Sequence, residues 1–335
     1  MTNNPMVTVV IPVYNLENYI AATIASILQQ SFGDFEAIVV DDGSKDRSAE
    51  VVSQTIAGDD RFTLVRQQNA GEAGARATGI KLARGRYLCF VDGDDTIEPD
   101  YLQRLTQTAL DEPDYDIVCC DGLTRVCNTY KTVIRDSQAT DFCGFDFLKA
   151  LLLRQLNVAG VCGKLYRREL LDGLKHYRLA VGTDVMTNLQ VACKAPRVHY
   201  INYAGYNYLQ RSSSAIHLKF GIERCLQFNE AVDDFFARNP EVAASVAAEQ
   251  LNTVNAVWMY CRYIERSSNR WIGNSPTIAA LREKASVHSA ALRENLPAAD
   301  RMMFWLDKSR WLRPAVLVIS TVRRWTTSIE RRLHR

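Results

Sequence analysis

The chain has 335 residues, 47% of them hydrophobic and 23% charged, which suffices for one large domain or two and excludes a disordered or fibrous protein. Nine cysteines, odd in number and without Cys-x-x-Cys pairs, exclude a disulfide scaffold and a cysteine-built zinc site and point to a reducing compartment. The net charge of +2 gives no reason to expect a nucleic-acid partner, yet it is unevenly spread: residues 308–335 carry eight Lys or Arg against Glu330, and the remainder is mildly acidic. Met1-Thr2-Asn3-Asn4-Pro5 lacks the charged and apolar regions of a secretory leader, and no run reaches the 18 apolar residues of a bilayer span, so a cytoplasmic protein is expected.

Along the first 120 residues, apolar runs alternate with amphipathic stretches. Val7–Val13, Ala37–Val40, Phe62–Val65, Tyr87–Val91 and Ile117–Cys120 read as buried strands. Between them, Tyr19–Gln29, Ser48–Ile56, Ala73–Ala83 and Tyr101–Leu110 read as helices, the first with Ile20, Ile24, Ile27 and Leu28 on one stripe. Such alternation predicts an α/β fold, a mostly parallel central sheet flanked by helices. Ligands of these sheets bind beyond the carboxyl ends of the strands. Polar groups gather there: Tyr14-Asn15, Asp41-Asp42-Gly43-Ser44, Asn69 to Arg76, and Asp92-Gly93-Asp94-Asp95.

That last run places three carboxylates within four residues at a strand end. They repel one another unless a cation binds, and Mg²⁺ or Mn²⁺, completed by substrate phosphates, is the natural partner; a plain Asp-Gly turn is the alternative. Farther on, Asp141 to Ser214 mixes a helix near Phe145–Gln155, a turn at Gly160–Gly163 and short strands. Beyond His217 the pattern is helical over Phe220–Arg238, Glu241–Glu265 and Pro276–Glu294. The domain reading is therefore a catalytic domain over residues 1–215 and a helical C-terminal region over 216–335.

Several motifs in order resemble family 2 glycosyltransferases, inverting enzymes with the GT-A fold, over residues 6–215. They are Val9 to Asn15, Gln29-Gln30-Ser31-Phe32, Val39 to Asp46, Asn69-Ala70-Gly71 with Ala75-Arg76 and Gly79, and Gly85-Arg86-Tyr87 leading into the acidic run. The resemblance implies a nucleotide-diphosphate sugar donor, UDP-linked, with Pro12 and Tyr14 lining the base pocket and Asp42 accepting from the uracil imide. Arg76 would face the base or the diphosphate. Asp92 would contact ribose or the metal, Asp94 would ligate the Mn²⁺ or Mg²⁺, and Asp95 either joins them or shapes the turn.

Asp184, in Gly182-Thr183-Asp184, stands where the family keeps an acidic pair, with Thr in place of the Glu; it is the candidate general base. Gly163-Lys164-Leu165-Tyr166-Arg167 and Tyr206 to Ser214 resemble elements of polysaccharide-building members, which brings Lys164 and Arg211 toward the diphosphate. The bland alternatives are an N-cap on the following helix for Asp42 and for Asp184, a solvated helix position for Arg76, and surface pairing with acids for Lys164.

The implied acceptor is a hydroxyl on a glycan or polyprenyl-linked intermediate, and the processive Gln-x-x-Arg-Trp motif is absent. A non-catalytic nucleotide-sugar-binding partner is disfavoured by Asp92, Asp94 and Asp184. A sugar nucleotidyltransferase is disfavoured because Pro12 to Glu17 lacks a Gly-rich, basic loop. In the tail, Val318, Val322, Trp325, Ile329 and Leu333 recur at helical spacing beside Arg323, Arg324 and Arg331, the pattern of a helix lying on the inner face of an anionic membrane or packed on its neighbours.

Overall fold

The computed structural model describes residues 4–111, 115–120, 122–126, 131–135, 141–153, 160–179, 181–209, 222–266, 275–308, 312, 314–316 and 318–320, the segments 122–126 and 131–135 as backbone. The chain divides into two compact units, residues 1–178 with 182–214, and residues 179–181 with 215–335.

In the first unit, strands and helices alternate: β1 (Val7–Val13), α1 (Ile20–Leu28), β2 (Phe35–Asp41), α2 (Ser48–Thr55), β3 (Phe62–Arg66), α3 (Gly71–Leu82) and β4 (Tyr87–Phe90). There follow β5 (Thr96–Ile97), α4 (Tyr101–Asp111), β6 (Ile117–Cys120), β7 (Gly122–Val126), β8 (Lys131–Arg135), β9 (Asp141–Cys143) and α5 (Gly144–Leu152). The unit ends with β10 (Lys164–Arg167), α6 (Thr183–Ala192), β11 (Arg197–Ile201) and β12 (Tyr206–Leu209).

Eight strands form the main sheet in the order β3-β2-β1-β4-β10-β6-β11-β9. β1 pairs in parallel with both β2 and β4, and every residue of β1 and β2 is buried, as expected of a sheet covered on both faces. Val9, Ile11, Ile20, Ile24, Ile27, Val39, Cys89, Leu102 and Leu105 pack on one side, each such side chain contributing about 1.5–3 kcal/mol on full burial. The opposite side receives Ala75 of α3 against Ile38 and Val40.

β10 runs antiparallel between β4 and β6. Its insertion sets the turn before it, residues 160–163, beside the carboxyl end of β4, where Phe90 bridges to Cys162. A second sheet, β5-β12-β7-β8, closes over the same end.

The second unit consists of α7 (Ile222–Arg238), α8 (Pro240–Ser245), α9 (Ala248–Arg266), α10 (Pro276–Val287), α11 (Ser289–Asn295) and α12 (Ala298–Leu306). The sequence pattern suggests one helix over Glu241–Glu265, but the chain breaks at Ala247, whose φ is 51°. Pro276–Glu294 is likewise divided, at His288. Around α9, Phe228, Val232, Val257, Tyr260, Ile264, Met303 and Phe304 are buried, with polar ties that include Arg262 to the fully buried Asp300, and Tyr260 to Asp307 at 2.6 Å. No helix of the described residues is long and apolar enough to cross a membrane.

Candidate active site

The carboxyl ends of β1 and β2 are stitched together by Asp42 N–H donating to the Val13 carbonyl at 2.8 Å. Pro12 is buried in the β1 strand, while Tyr14, just past its end, is 46% exposed. Asp42 is almost fully buried. Its Oδ1 accepts from Gln67 Nε2 at 2.6 Å and Ala70 N–H at 2.8 Å, and its Oδ2 from Gly71 N–H at 2.9 Å.

Asp42 therefore anchors the amino end of α3 and does not cap the helix that follows it in sequence. That role falls to Asp46, whose Oδ1 accepts from the Ser48 N–H and hydroxyl. A carboxylate offers about four lone-pair positions, so one on Oδ2 remains after these three donors.

Arg76, in the second turn of α3, is 5% exposed, which rules out a solvated helix position. Its Nη2 pairs with Asp92 Oδ1 at 2.8 Å and with Glu72 four residues back, and its Nη1 pairs with Asp184 Oδ1. Phe90 lies under the guanidinium. One cation thus joins carboxylates from α3, the β4 end and α6. Burial opposes the guanidinium charge, and Asp184, Asp92 and Glu72 more than restore it.

The acidic run after β4 is a tight turn, with Asp95 N–H donating to the Asp92 carbonyl at 2.9 Å. Position 93 requires glycine, since a Cβ there would stand 2.8 Å from Leu16 Cδ1 and 2.9 Å from the Pro12 carbonyl. Burial, then repulsion from Asp184 and Asp94, raises the Asp92 pKa against the pull of Arg76. Asp95 is 1% exposed, accepts from Tyr206 Oη at 2.7 Å and Leu209 N–H at 2.9 Å, and is pushed up to about 8 by burial and by Asp92 and Asp94. Of its two alternatives, shaping the turn is the one these contacts describe. Arg76 draws the Glu72 carboxyl down, but desolvation and the charges of Asp92, Asp184 and Asp94 push it up to about 7.

Burial and mutual repulsion together raise these carboxyls, and a hard cation relieves the repulsion. Among the described residues no group of three His, Cys, Asp or Glu is arranged to hold a metal by itself. Two aspartates at a strand end nevertheless suit Mg²⁺ or Mn²⁺, which take one or two protein carboxylates and fill the shell with waters and phosphates. The chemistry of Asp92 and Asp94 fits such an ion.

Asp184 lies in the first turn of α6, with Gly182, at φ 82°, as the capping residue. The N-cap alternative for Asp184 is thereby corrected: the helix starts two residues earlier, at Thr183, and Asp184 points its Oδ1 at Arg76. Lys164 is fully buried and its Nζ donates to the Gly160 carbonyl at 2.6 Å, which rules out a surface position for it. Arg211 lies outside the described residues.

Two participants escaped the sequence reading. Glu72 was legible as the residue four before Arg76 on a helix. Tyr206, part of the recognised closing segment, places its hydroxyl between Asp95 and the Asp92 N–H, the latter at 3.1 Å.

Residues 8–174 match the family described as Glycosyl transferase family 2. This chain belongs to glycosyltransferase family 2. It is 33% identical over 226 residues to the uncharacterized glycosyltransferase EpsJ of Bacillus subtilis, covering 64% of each chain. It is 31% identical over 219 residues to the glycosyltransferase GlyA of Streptococcus pneumoniae, covering 62% of this chain and 31% of that one. The chain thus spans less than two thirds of the length of these curated relatives. Among solved structures, the 1–349 fragment of S. aureus TarS in complex with UDP-GlcNAc superposes with a TM-score of 0.65 at 19% identity, covering 96% of this chain and 92% of that one. The mannosyltransferase PcManGT of Pyrobaculum calidifontis, in complex with GDP-Man and Mn²⁺, gives 0.52 at 19% identity, covering 96% and 87%. At such identities the likeness establishes the fold, which is GT-A.

Proposed function

We propose that this family 2 member is an inverting glycosyltransferase that moves one sugar from a UDP-linked donor to a hydroxyl of a lipid-linked glycan intermediate in cell-surface polysaccharide synthesis. The observation that carries the reading is the clamp in which Arg76 joins Asp92 and Asp184, since it brings the candidate metal ligand and the candidate base to one point. The UDP-GlcNAc in TarS and the GDP-Man and Mn²⁺ in PcManGT support a nucleotide-sugar donor and a divalent ion.

In this reading Pro12, Tyr14 and the remaining Oδ2 lone pair of Asp42 receive the base. Asp92 and Asp94 hold the cation, which supplies charge neutralisation to the departing diphosphate. Asp184 keeps Oδ1 on Arg76 and uses Oδ2 to take the acceptor hydroxyl proton. The hydroxyl oxygen bonds to the anomeric carbon as the bond to the β-phosphate oxygen breaks, and UDP leaves with the electron pair. Attack opposite the leaving group inverts the configuration.

The test is kinetic. Asp184→Asn is expected to lower kcat by about two to four decades with donor affinity little changed. Asp94→Ala is expected to abolish turnover while the protein stays folded. Collapse of donor binding in Asp184→Asn at constant kcat, or wild-type turnover by Asp94→Ala in EDTA-treated buffer, defeats the assignment.

A further inference from the structure

Behind Asp184 lies a set of buried polar side chains that the proposed chemistry does not use. The Gly160 carbonyl accepts from two of them, Lys164 Nζ at 2.6 Å and Asn188 Nδ2 at 3.1 Å. Asn188 in turn accepts from Tyr166 Oη at 2.7 Å through its Oδ1, and the same hydroxyl lies 3.3 Å from the Val161 carbonyl. Lys164, Tyr166 and Asn188 are all inaccessible to solvent. They come from two elements, β10 and α6, and converge on the turn that precedes β10.

Residue 160 touches the other side of the candidate base. A Cβ at Gly160 would stand 3.2 Å from Asp184 Oδ2, tighter than ordinary van der Waals contact. Asp184 is thus held by Arg76 at Oδ1 and walled by the Gly160 backbone at Oδ2. A buried ammonium is costly to keep where a neutral side chain would pack, and it suits a place close to an excess of carboxylates. A backbone carbonyl that receives two buried donors, one of them charged, cannot swing without breaking both hydrogen bonds.

Resting on the reading of Asp184 as the general base, we infer that Lys164, with Asn188 and Tyr166, is a positioning residue that fixes the Gly160 turn so that Asp184 Oδ2 stays aimed at the acceptor hydroxyl. The role differs from the diphosphate contact that the sequence motif suggests for Lys164. It acts through the base and leaves donor binding alone.

The experiment measures hydrolysis of UDP sugars (UDP-GlcNAc, UDP-glucose and UDP-galactose) with Mn²⁺ and no acceptor, alongside calorimetric binding of UDP. A misplacement of about 1 Å at a reacting group can cost up to 100-fold in rate, so folded Lys164→Met is expected to lose roughly 10- to 100-fold in kcat with UDP affinity unchanged. Tyr166→Phe, which removes a single oxygen, should lose a few-fold. In an Asp184→Asn background Lys164→Met should produce no further loss, because its effect runs through that carboxylate. Unchanged kcat, an additive loss in the double variant, or a raised donor KM at constant kcat each overturns the inference, and the last returns Lys164 to the diphosphate.

If Lys164→Met does not fold, Asn188→Ser and Tyr166→Phe provide the same kcat-against-KM split. Failure of the functional reading looks different: wild type hydrolyses no UDP sugar, or Asp184→Asn hydrolyses at the wild-type rate. The positioning is then judged by crystal structures of wild type and Tyr166→Phe. A Gly160 carbonyl that keeps its place and both donors in the variant overturns it; a displaced turn beside Asp184 supports it.

Discussion

Arg76 is the residue whose removal most directly exposes the electrostatics of the site. Its guanidinium is buried and compensates Glu72, Asp92 and Asp184 at once. Taking one partner from a buried charge pair typically costs about 3–5 kcal/mol, because the remaining charges are left uncompensated. The three carboxylates here keep 28–52% of their side-chain exposure, so the lower end of that range applies. Arg76→Ala is therefore expected to unfold at a lower temperature than wild type, by an amount equivalent to about 3 kcal/mol. It should also gain more from Mn²⁺, since the cation substitutes for part of the lost positive charge. Thermal melts with and without Mn²⁺ check both signs. A variant that loses stability but gains no more from Mn²⁺ than wild type would show that the ion does not share the field of Arg76.

At the scale of elements, the ends of β1 and β2 and the start of α3 form one assembly through Asp42. Asp42→Ala leaves the Ala70 and Gly71 N–H groups without their acceptor, a loss comparable to that of a helix cap, about 1–2 kcal/mol. If the remaining lone pair also receives the uracil imide, UDP affinity falls by roughly 1–3 kcal/mol as well. Denaturant melts and calorimetry separate the two, and equal UDP affinity in a destabilised protein would leave Asp42 only the helix-anchoring role. What sequence could and could not show divides along the same line. The strands β1 to β4 and β6 and the helices between them were legible because buried parallel strands are near-continuous apolar runs and the helices carry a 3.6-residue stripe, whereas the two-residue β5 was not. The antiparallel β10 between β4 and β6 was not, since four residues, Lys164–Arg167, reveal neither partner nor direction. For the same reason the burial of Lys164 and its bond to Gly160, both set by the strand's insertion, could not be read from the motif. The anchoring of α3 by Asp42 was not visible in the sequence because its partners lie 28 and 29 residues away, on a helix brought near only by the sheet.

For the whole molecule, the open question is where it works, and the basic tail bears on it. Val316 and Ser320 are buried, while Val318, the first member of the apolar stripe, is 62% exposed. Val322, Trp325, Ile329 and Leu333 lie outside the described residues. An exposed stripe residue followed by Arg323, Arg324, Arg331 and Arg332 favours an interfacial helix over one that packs its stripe inward. Each basic residue near an anionic surface contributes about 1 kcal/mol, within a reach of about 10 Å at 0.1 M salt. The hypothesis is that the 335-residue chain sediments with phosphatidylserine-containing vesicles at low salt and is released at high salt. Removing residues 321–335 keeps Val316 and Ser320 in place, and should abolish sedimentation while donor hydrolysis persists. Replacing the four arginines by glutamine should weaken sedimentation at low salt without altering the apolar stripe, which separates charge from hydrophobic burial. If the 335-residue chain stays in the supernatant at low salt, the membrane reading is removed.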